Sequence, residues 1–379
     1  MTDNKYQLIT DREVFLELVR AGLFPSYPSS SVTANGSPVN WKEVYRLAEE
    51  QSVVGLVAAG IETLQPSDRP PKEVALQFVG RTLSLEKANK GMNDFIASLI
   101  DELRDAECFA VLVKGQGVAQ SYEQPLWRTC GDVDLLLDKD NYEKAKSFLT
   151  AKADTVGEED KNRLHLPMTI EGWTVELHGT LSTGISNRLN RVIYEVQSSV
   201  FHDKSVCSWL NGNSLVFLPS PDVHVFFVFS HILEHFYVEG VGLRQICDWC
   251  RLLWVYREEL DLQLLERRIR KAGIMAEWKG FASLAVNTLG IPVEAMPFYD
   301  VSYMAKGTGV LEYVMKSGNF GHNKDNSYRA RTSKFTGLMI TFCRRVKEFA
   351  ELMRIFPTQT PKIFLTYLTG RVKANVGWR

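Results

Sequence analysis

Gly131-Asp132-Val133-Asp134-Leu135-Leu136-Leu137 places two carboxylates at the entrance of a short apolar run. A run this brief, bounded by polar residues, reads as a β-strand. On a strand, residues i and i+2 point to one side, so Asp132 and Asp134 address a single spot while Val133 faces the core. Carboxylates held that close repel each other and stay ionised at neutral pH only if a cation sits between them. A hard cation such as Mg²⁺ accepts one or two carboxylates and completes its shell with water and substrate phosphates. Glu176, between Val175 and Leu177, is a third candidate from a neighbouring strand. A bare Asp-x-Asp is common as a solvated strand entrance, so its meaning depends on the sequence around it.

Upstream, residues 109–113 form an apolar run that ends at Lys114-Gly115, as a strand would. Residues 117–122 fit a helix that Pro125 stops. Downstream, residues 141–152 read as a polar helix. Residues 166–170 and 174–177 read as strands joined by a Glu171-Gly172 turn. This order describes a small mixed α/β unit over 107–205. Before it, residues 1–106 carry helical periodicity at 11–21, 41–64 and 74–106, interrupted by a Ser/Pro/Gly-rich loop at 25–38 and a Pro-rich break at 66–71. After it, residues 206–379 read as a helical region that ends in a basic tail. The expected class is therefore α+β, with a mixed sheet flanked by helices on both sides in sequence.

Composition narrows the function classes. The chain has 379 residues and a formal net charge of −1, so no global field marks it as a nucleic-acid binder. Residues 324–379 nevertheless hold twelve Lys/Arg against three Asp/Glu. Arg344-Arg345-Val346-Lys347 and Arg371-Val372-Lys373, with Phe342, Phe349, Phe356 and Tyr367 among them, suit contact with RNA or an anionic lipid surface or, more commonly, a solvated helix face that offsets the acidic remainder. The opening residues lack a secretory pattern and the longest apolar run, 223–229, is too short to span a bilayer. Six scattered cysteines suit reduced thiols, and the expectation is a cytoplasmic protein without a transmembrane segment.

Val113-Lys114-Gly115 through Tyr122, Pro125, Arg128, the Gly131–Leu137 run and Val175-Glu176-Leu177-His178 together resemble the uncharacterised nucleotidyltransferase family. That family is part of the DNA polymerase β-like nucleotidyltransferase superfamily. Gly240-Val-Gly-Leu-Arg244-Gln-Ile-Cys-Asp248-Trp249 extends the resemblance more weakly. The resemblance implies a mixed sheet whose three carboxylates hold one or two Mg²⁺ (or Mn²⁺) ions. Asp132 and Asp134 would be metal ligands, and Glu176 the third ligand or the base near an acceptor hydroxyl. The implied reaction is in-line attack on the α-phosphate of an NTP, ATP among them, with pyrophosphate leaving. The near-neutral charge slightly favours a small molecule or sugar as acceptor over RNA. One departure is visible: the superfamily's Gly-Gly or Gly-Ser after the first strand is here Lys114-Gly115-Gln116-Gly117. Gly115 still lets backbone N–H groups approach a phosphate, and Lys114 adds a positive charge.

The supporting residues each carry two readings. Arg128 either forks onto phosphates or forms a salt bridge that orients the aspartate pair. Tyr122 and Trp127 stack on a base or, more commonly for such residues, pack. His178, on the same strand face as Glu176, touches the metal shell or the acceptor, or simply partners Glu176; His165 is less informative. Arg244 and Asp248, four apart on a helix, suit an ion pair, and the resemblance would have them frame the cleft. His231-Ile-Leu-Glu234-His235 matches a zinc-protease pattern, so a zinc-dependent hydrolase is a rival reading; otherwise His231 and His235 line the acceptor side. A non-catalytic nucleotide-binding protein is the second rival. Cys247-Asp-Trp-Cys250 has redox-motif spacing but lies within a helical pattern, which suits two half-buried thiols.

Overall fold

The computed structural model describes residues 10–24, 39–319 and 334–366. The chain is an α+β protein in which helices precede and follow a mixed five-stranded sheet. Helix α1 (Asp11–Leu23) starts from a capping box: Thr10 Oγ1 accepts from the Glu13 N–H, and Glu13 accepts in return from the Thr10 N–H. Helices α2 (Trp41–Glu50) and α3 (Val54–Glu62) replace the single helix expected over 41–64. The break is at Ser52, in the left-handed region at φ 56. The neighbouring Gln51 is fully buried, and its side-chain oxygen accepts from the Leu243 N–H at 2.9 Å, so a long-range tie replaces helix continuity. Gly22 and Gly60 let α1 and α3 cross closely, since a Cβ on either would meet a backbone oxygen of the other helix within 2.1 Å. Helix α4 (Lys72–Asp105) follows the Pro-rich break and runs 34 residues.

Strand β1 (Val111–Leu112), the short helix α5 (Gln116–Ala119), strand β2 (Asp132–Leu136) and helix α6 (Lys139–Thr150) follow in turn. Then come β3 (Thr155–Val156), β4 (His165–Ile170) and β5 (Trp173–His178). The sheet order is β1-β2-β5-β4-β3, with β2 and β5 parallel and the other pairs antiparallel. The β4–β5 turn uses Glu171 and Gly172, both at positive φ (51 and 78), as a tight two-residue hairpin requires. Alternation then divides the sheet into two faces. Val133, Leu135, Val175, Leu177, Leu166 and Met168 join α4 and α6 in one core. Asp132, Asp134, Glu176 and His178 are left on the opposite face.

Helix α7 (Asn187–His202) leads into a hairpin of β6 (Val206–Asn211) and β7 (Ser214–Pro219). This hairpin occupies the start of the segment whose periodicity reads as helical. Val216 and Leu218 join the same core as α4 and the sheet, which is why a pattern too short for a helix folds here as strands. Helices α8 (Pro221–Val238), α9 (Leu243–Val255), α10 (Leu262–Ala272), α11 (Met275–Leu284), α12 (Met304–Ser317) and α13 (Lys334–Ile355) complete the described chain. Beyond its first two residues, Pro221 and Asp222, α8 is buried on every side except for a partly open stripe at His231, Glu234, His235 and Val238. No helix among the described residues is long and apolar enough to cross a membrane.

Candidate active site

Strand register assembles the site. Asp134 on β2 stands beside Glu176 on β5, and His178 on β5 stands beside His165 on β4. One ligand oxygen each from Asp132, Asp134 and Glu176 lies within 4.8 Å of the others. Asp134 is almost fully buried at 1% exposure, whereas Asp132 and Glu176 reach a cleft of about 500 Å³. Lys114, Gly115, His178, His231, Arg244 and Asp248 also line this cleft.

The electrostatics are those of a crowded anionic pocket. The neighbouring Asp134 carboxylate, reinforced by burial, pushes Asp132 up to about 6. Burial works against ionised Asp134, but the Lys114 ammonium at 2.8 Å and the His178 ring at 2.9 Å hold it down at about 2. Glu176 is also held below the usual carboxylate range, by hydrogen bonds from His165 at 3.1 Å and then from His178. Desolvation would lower His178, yet its bonds to Asp134 and Glu176 raise it. The Lys114 ammonium thus supplies positive charge beside the aspartate pair, and His178 adds a hydrogen bond to Asp134. One acceptor is left over: Oδ2 of Asp134 is buried with no hydrogen-bond partner among the described residues. A buried, unpaired carboxylate oxygen is costly and is what a cation would satisfy. The donor set fits a divalent metal.

Gly115 sits at φ 55, where only glycine is comfortable, and a Cβ there would meet the Asp132 carbonyl at 2.9 Å. The loop thereby presses against the strand that carries the aspartates. Arg128 forms a salt bridge, the second of its two readings, with Asp248 as the partner. Its guanidinium is buried and forks onto Asp248, Nε and Nη2 each donating at 2.7 Å. Tyr122 Oη donates to the same carboxylate at 2.7 Å, so Tyr122 packs and does not present a stacking face. The ion pair expected between Arg244 and Asp248 is replaced by this arrangement, and Arg244 Nη1 donates to the Thr129 carbonyl at 2.8 Å. Arg128 and Arg244 together fix the loop that delivers Asp132.

Several positioning residues carry no motif. Asn89, midway along α4, donates to the carbonyls of Leu126 and Arg128 and accepts from Gln116 Nε2, all at 2.7–2.8 Å. His224 on α8 donates to the Val113 carbonyl at 3.2 Å; burial lowers it to about 4, so it is a neutral strut beneath the Lys114 loop. Arg163 pairs with Glu234 at 2.9 Å and donates to the Ser182 carbonyl, closing one side of the cleft. A buried polar residue in a helix is visible in sequence only as a break in the apolar stripe, which marks Asn89 and His224 as unusual without giving them a partner.

The rival histidine motif does not assemble a metal site among the described residues. Two groups there have metal-binding geometry, Asp132/Asp134/Glu176 and His165/Glu176/His178, and neither includes His231 or His235. Glu234 is held by Arg163 and the Gly184 N–H, while His231 and His235 contact each other at 3.0 Å. Cys247 and Cys250 are buried free thiols within α9. In the basic tail, Arg344 and Arg345 both reach Glu348, and Phe349 and Phe356 are buried, so these aromatics pack instead of facing a partner. Arg371, Lys373 and Tyr367 lie outside the described residues.

A family model described as uncharacterised nucleotidyltransferase matches residues 37–290, more than half of the chain. The matched stretch spans α2 through α11 and so contains every residue of the cleft described above. Neither the curated proteins nor the solved structures contain a match.

Proposed function

The chain belongs to the uncharacterised nucleotidyltransferase family, and from that premise we propose that it transfers a nucleoside monophosphate from an NTP to a hydroxyl of a small acceptor, with Mg²⁺ held by Asp132, Asp134 and Glu176. The observation that carries this reading is the three-carboxylate cluster whose buried Asp134 Oδ2 has no hydrogen-bond partner. Mg²⁺ at these oxygens would stabilise charge on the α-phosphate and on the attacking and leaving oxygens.

The protein groups divide the remaining work. Lys114 and Gly115, at the end of β1, form the donor side, where an ammonium and an exposed backbone meet the phosphates. Glu176, kept ionised by hydrogen bonds from His165 and His178, is suited to holding the metal ion and is a weak base. Arg128 and Asp248 act through the loop that places Asp132, so they are positioning residues. Across the cleft, the stripe of His231, Glu234 and His235 with Arg163 offers donors and acceptors of both signs, which suits a hydroxylated acceptor such as a sugar. A cleft of about 500 Å³ is of small-molecule size, which favours that acceptor class over a folded RNA.

The test is incubation of purified protein with each α-labelled NTP, Mg²⁺ and a fractionated cell extract. A labelled product should form with wild type and disappear in Asp132→Ala/Asp134→Ala. Absence of both labelling and nucleotide binding with all NTPs would defeat the proposal.

A further inference from the structure

The sheet places a second ligand set beside the carboxylate cluster. His165 and His178 are opposite each other on β4 and β5, and Glu176 lies two residues before His178 on the same strand face. The two imidazoles lie nearly parallel, with centroids 4.8 Å apart and planes inclined by 22°. Both Nε2 atoms converge on one oxygen, Glu176 Oε2, at 3.1 Å from His165 and 3.4 Å from His178. These separations are those of ligand edges. A four- to six-coordinate ion with metal–ligand bonds of about 2.0–2.2 Å has neighbouring donors about 3.0–3.6 Å apart. Asp134 Oδ1 lies 2.9 Å from His178 Nε2 and extends the set to a fourth donor. All four side chains stand on paired strands, the rigid support that a metal site needs.

From this convergence we infer a second metal site at His165, Glu176 and His178, one that takes an imidazole-accepting transition ion of the Co²⁺ or Zn²⁺ class, for which Mn²⁺ serves as the paramagnetic probe. The chemistry follows from the donors. Imidazole suits such ions, whereas Mg²⁺ keeps to oxygen ligands and water. Glu176, shared with the carboxylate cluster, bridges the two sites, and the centre becomes unsymmetrical: one ion in an all-oxygen set, one with two nitrogens. The inference rests on the proposed metal-dependent function only through the carboxylates shared with that cluster, Glu176 and Asp134. Ion binding at the histidines needs neither nucleotide nor turnover.

Electron spin-echo spectroscopy of the full chain titrated with Mn²⁺ alone reads the site directly. Wild type should hold Mn²⁺ with nitrogen hyperfine coupling, retained in excess Mg²⁺. In His165→Asn the coupling should fall and Mn²⁺ binding at that site weaken by at least ~10–100-fold, the loss known for outer-shell partners alone. His165 is the more exposed of the pair, with 31% of its side chain open, so its variant is the gentler on folding, and a matched circular dichroism spectrum verifies that. Asp132→Asn, which empties one arm of the oxygen set, should keep the nitrogen coupling. Bound Mn²⁺ without nitrogen coupling, or coupling undiminished in both His165→Asn and His178→Asn, would overturn the inference. Nitrogen coupling together with absent NTP labelling would leave this site standing and defeat only the proposed reaction.

Discussion

Breaking the Arg128–Asp248 fork tests whether Arg128 is a positioning residue or a phosphate ligand. The two side chains are 5% and 6% exposed, so each charge is out of water and depends on the other. Arg128→Leu leaves the Asp248 carboxylate with Tyr122 Oη as its remaining donor; Asp248→Leu leaves the guanidinium with the Thr129 carbonyl at 3.3 Å. Removing one partner of a buried pair costs about 3–5 kcal/mol, mostly the desolvation of the stranded charge. For a chain of this size that is a fall in Tm of roughly 4–6 °C. The double variant strands no charge, so its loss should fall below that of either single variant, where independent sites would lose about 6–10 kcal/mol together. Calorimetry on the four proteins gives the comparison. Additive losses, or an Arg128→Leu protein of unchanged Tm that has lost NTP binding, would refute the positioning role.

Other consequences follow from single contacts. Lys114→Met removes the ammonium 2.8 Å from the nearly inaccessible Asp134, and should cost about 1.5–3 kcal/mol without metal; because Mg²⁺ would then relieve the unbalanced charge, its addition should raise Tm more in the variant than in wild type. Glu277 on α11 is raised to about 7 by burial, with Tyr237 Oη donating to it at 3.0 Å. A carboxyl raised from 4.5 contributes stability that is complete below about pH 4.5 and lost as pH climbs through about 7, some ~3 kcal/mol in all. Glu277→Gln should therefore flatten the urea midpoint between about pH 5 and about pH 8; an unchanged slope would contradict this. Gly55→Ala would drive a Cβ to 2.0 Å from the Trp127 carbonyl, so α3 must move away from the 125–127 turn, and a loss of about 1–3 kcal/mol or more is expected in denaturant melts.

Much of this was legible in sequence because it depends on local periodicity. The two-residue period of Asp132-Val133-Asp134 fixed which side chains meet, and Glu171-Gly172 announced its own turn. The helices of 72–105 and 221–284 show in their apolar spacing. What was hidden depends on partners far along the chain. Arg128 takes Asp248, 120 residues away, and no spacing rule connects them. Gln51 leaves its helix for the N–H of Leu243, so 41–64 breaks where propensity would continue it. The β6–β7 hairpin is stabilised by α4 and the sheet, which a short window of sequence cannot contain. At the site, spacing joined Glu176 to His178, but only strand pairing brings His165 opposite them.

The central claim concerns which phosphate the carboxylates act on. Parallel incubations with α-labelled and γ-labelled NTP, Mg²⁺ and an accepting fraction test it most directly. The α-label should enter the acceptor, the γ-label should leave as pyrophosphate in equal amount, and both should vanish in Asp134→Asn. Transfer of γ-label to the acceptor, or full activity in Asp134→Asn, would contradict it.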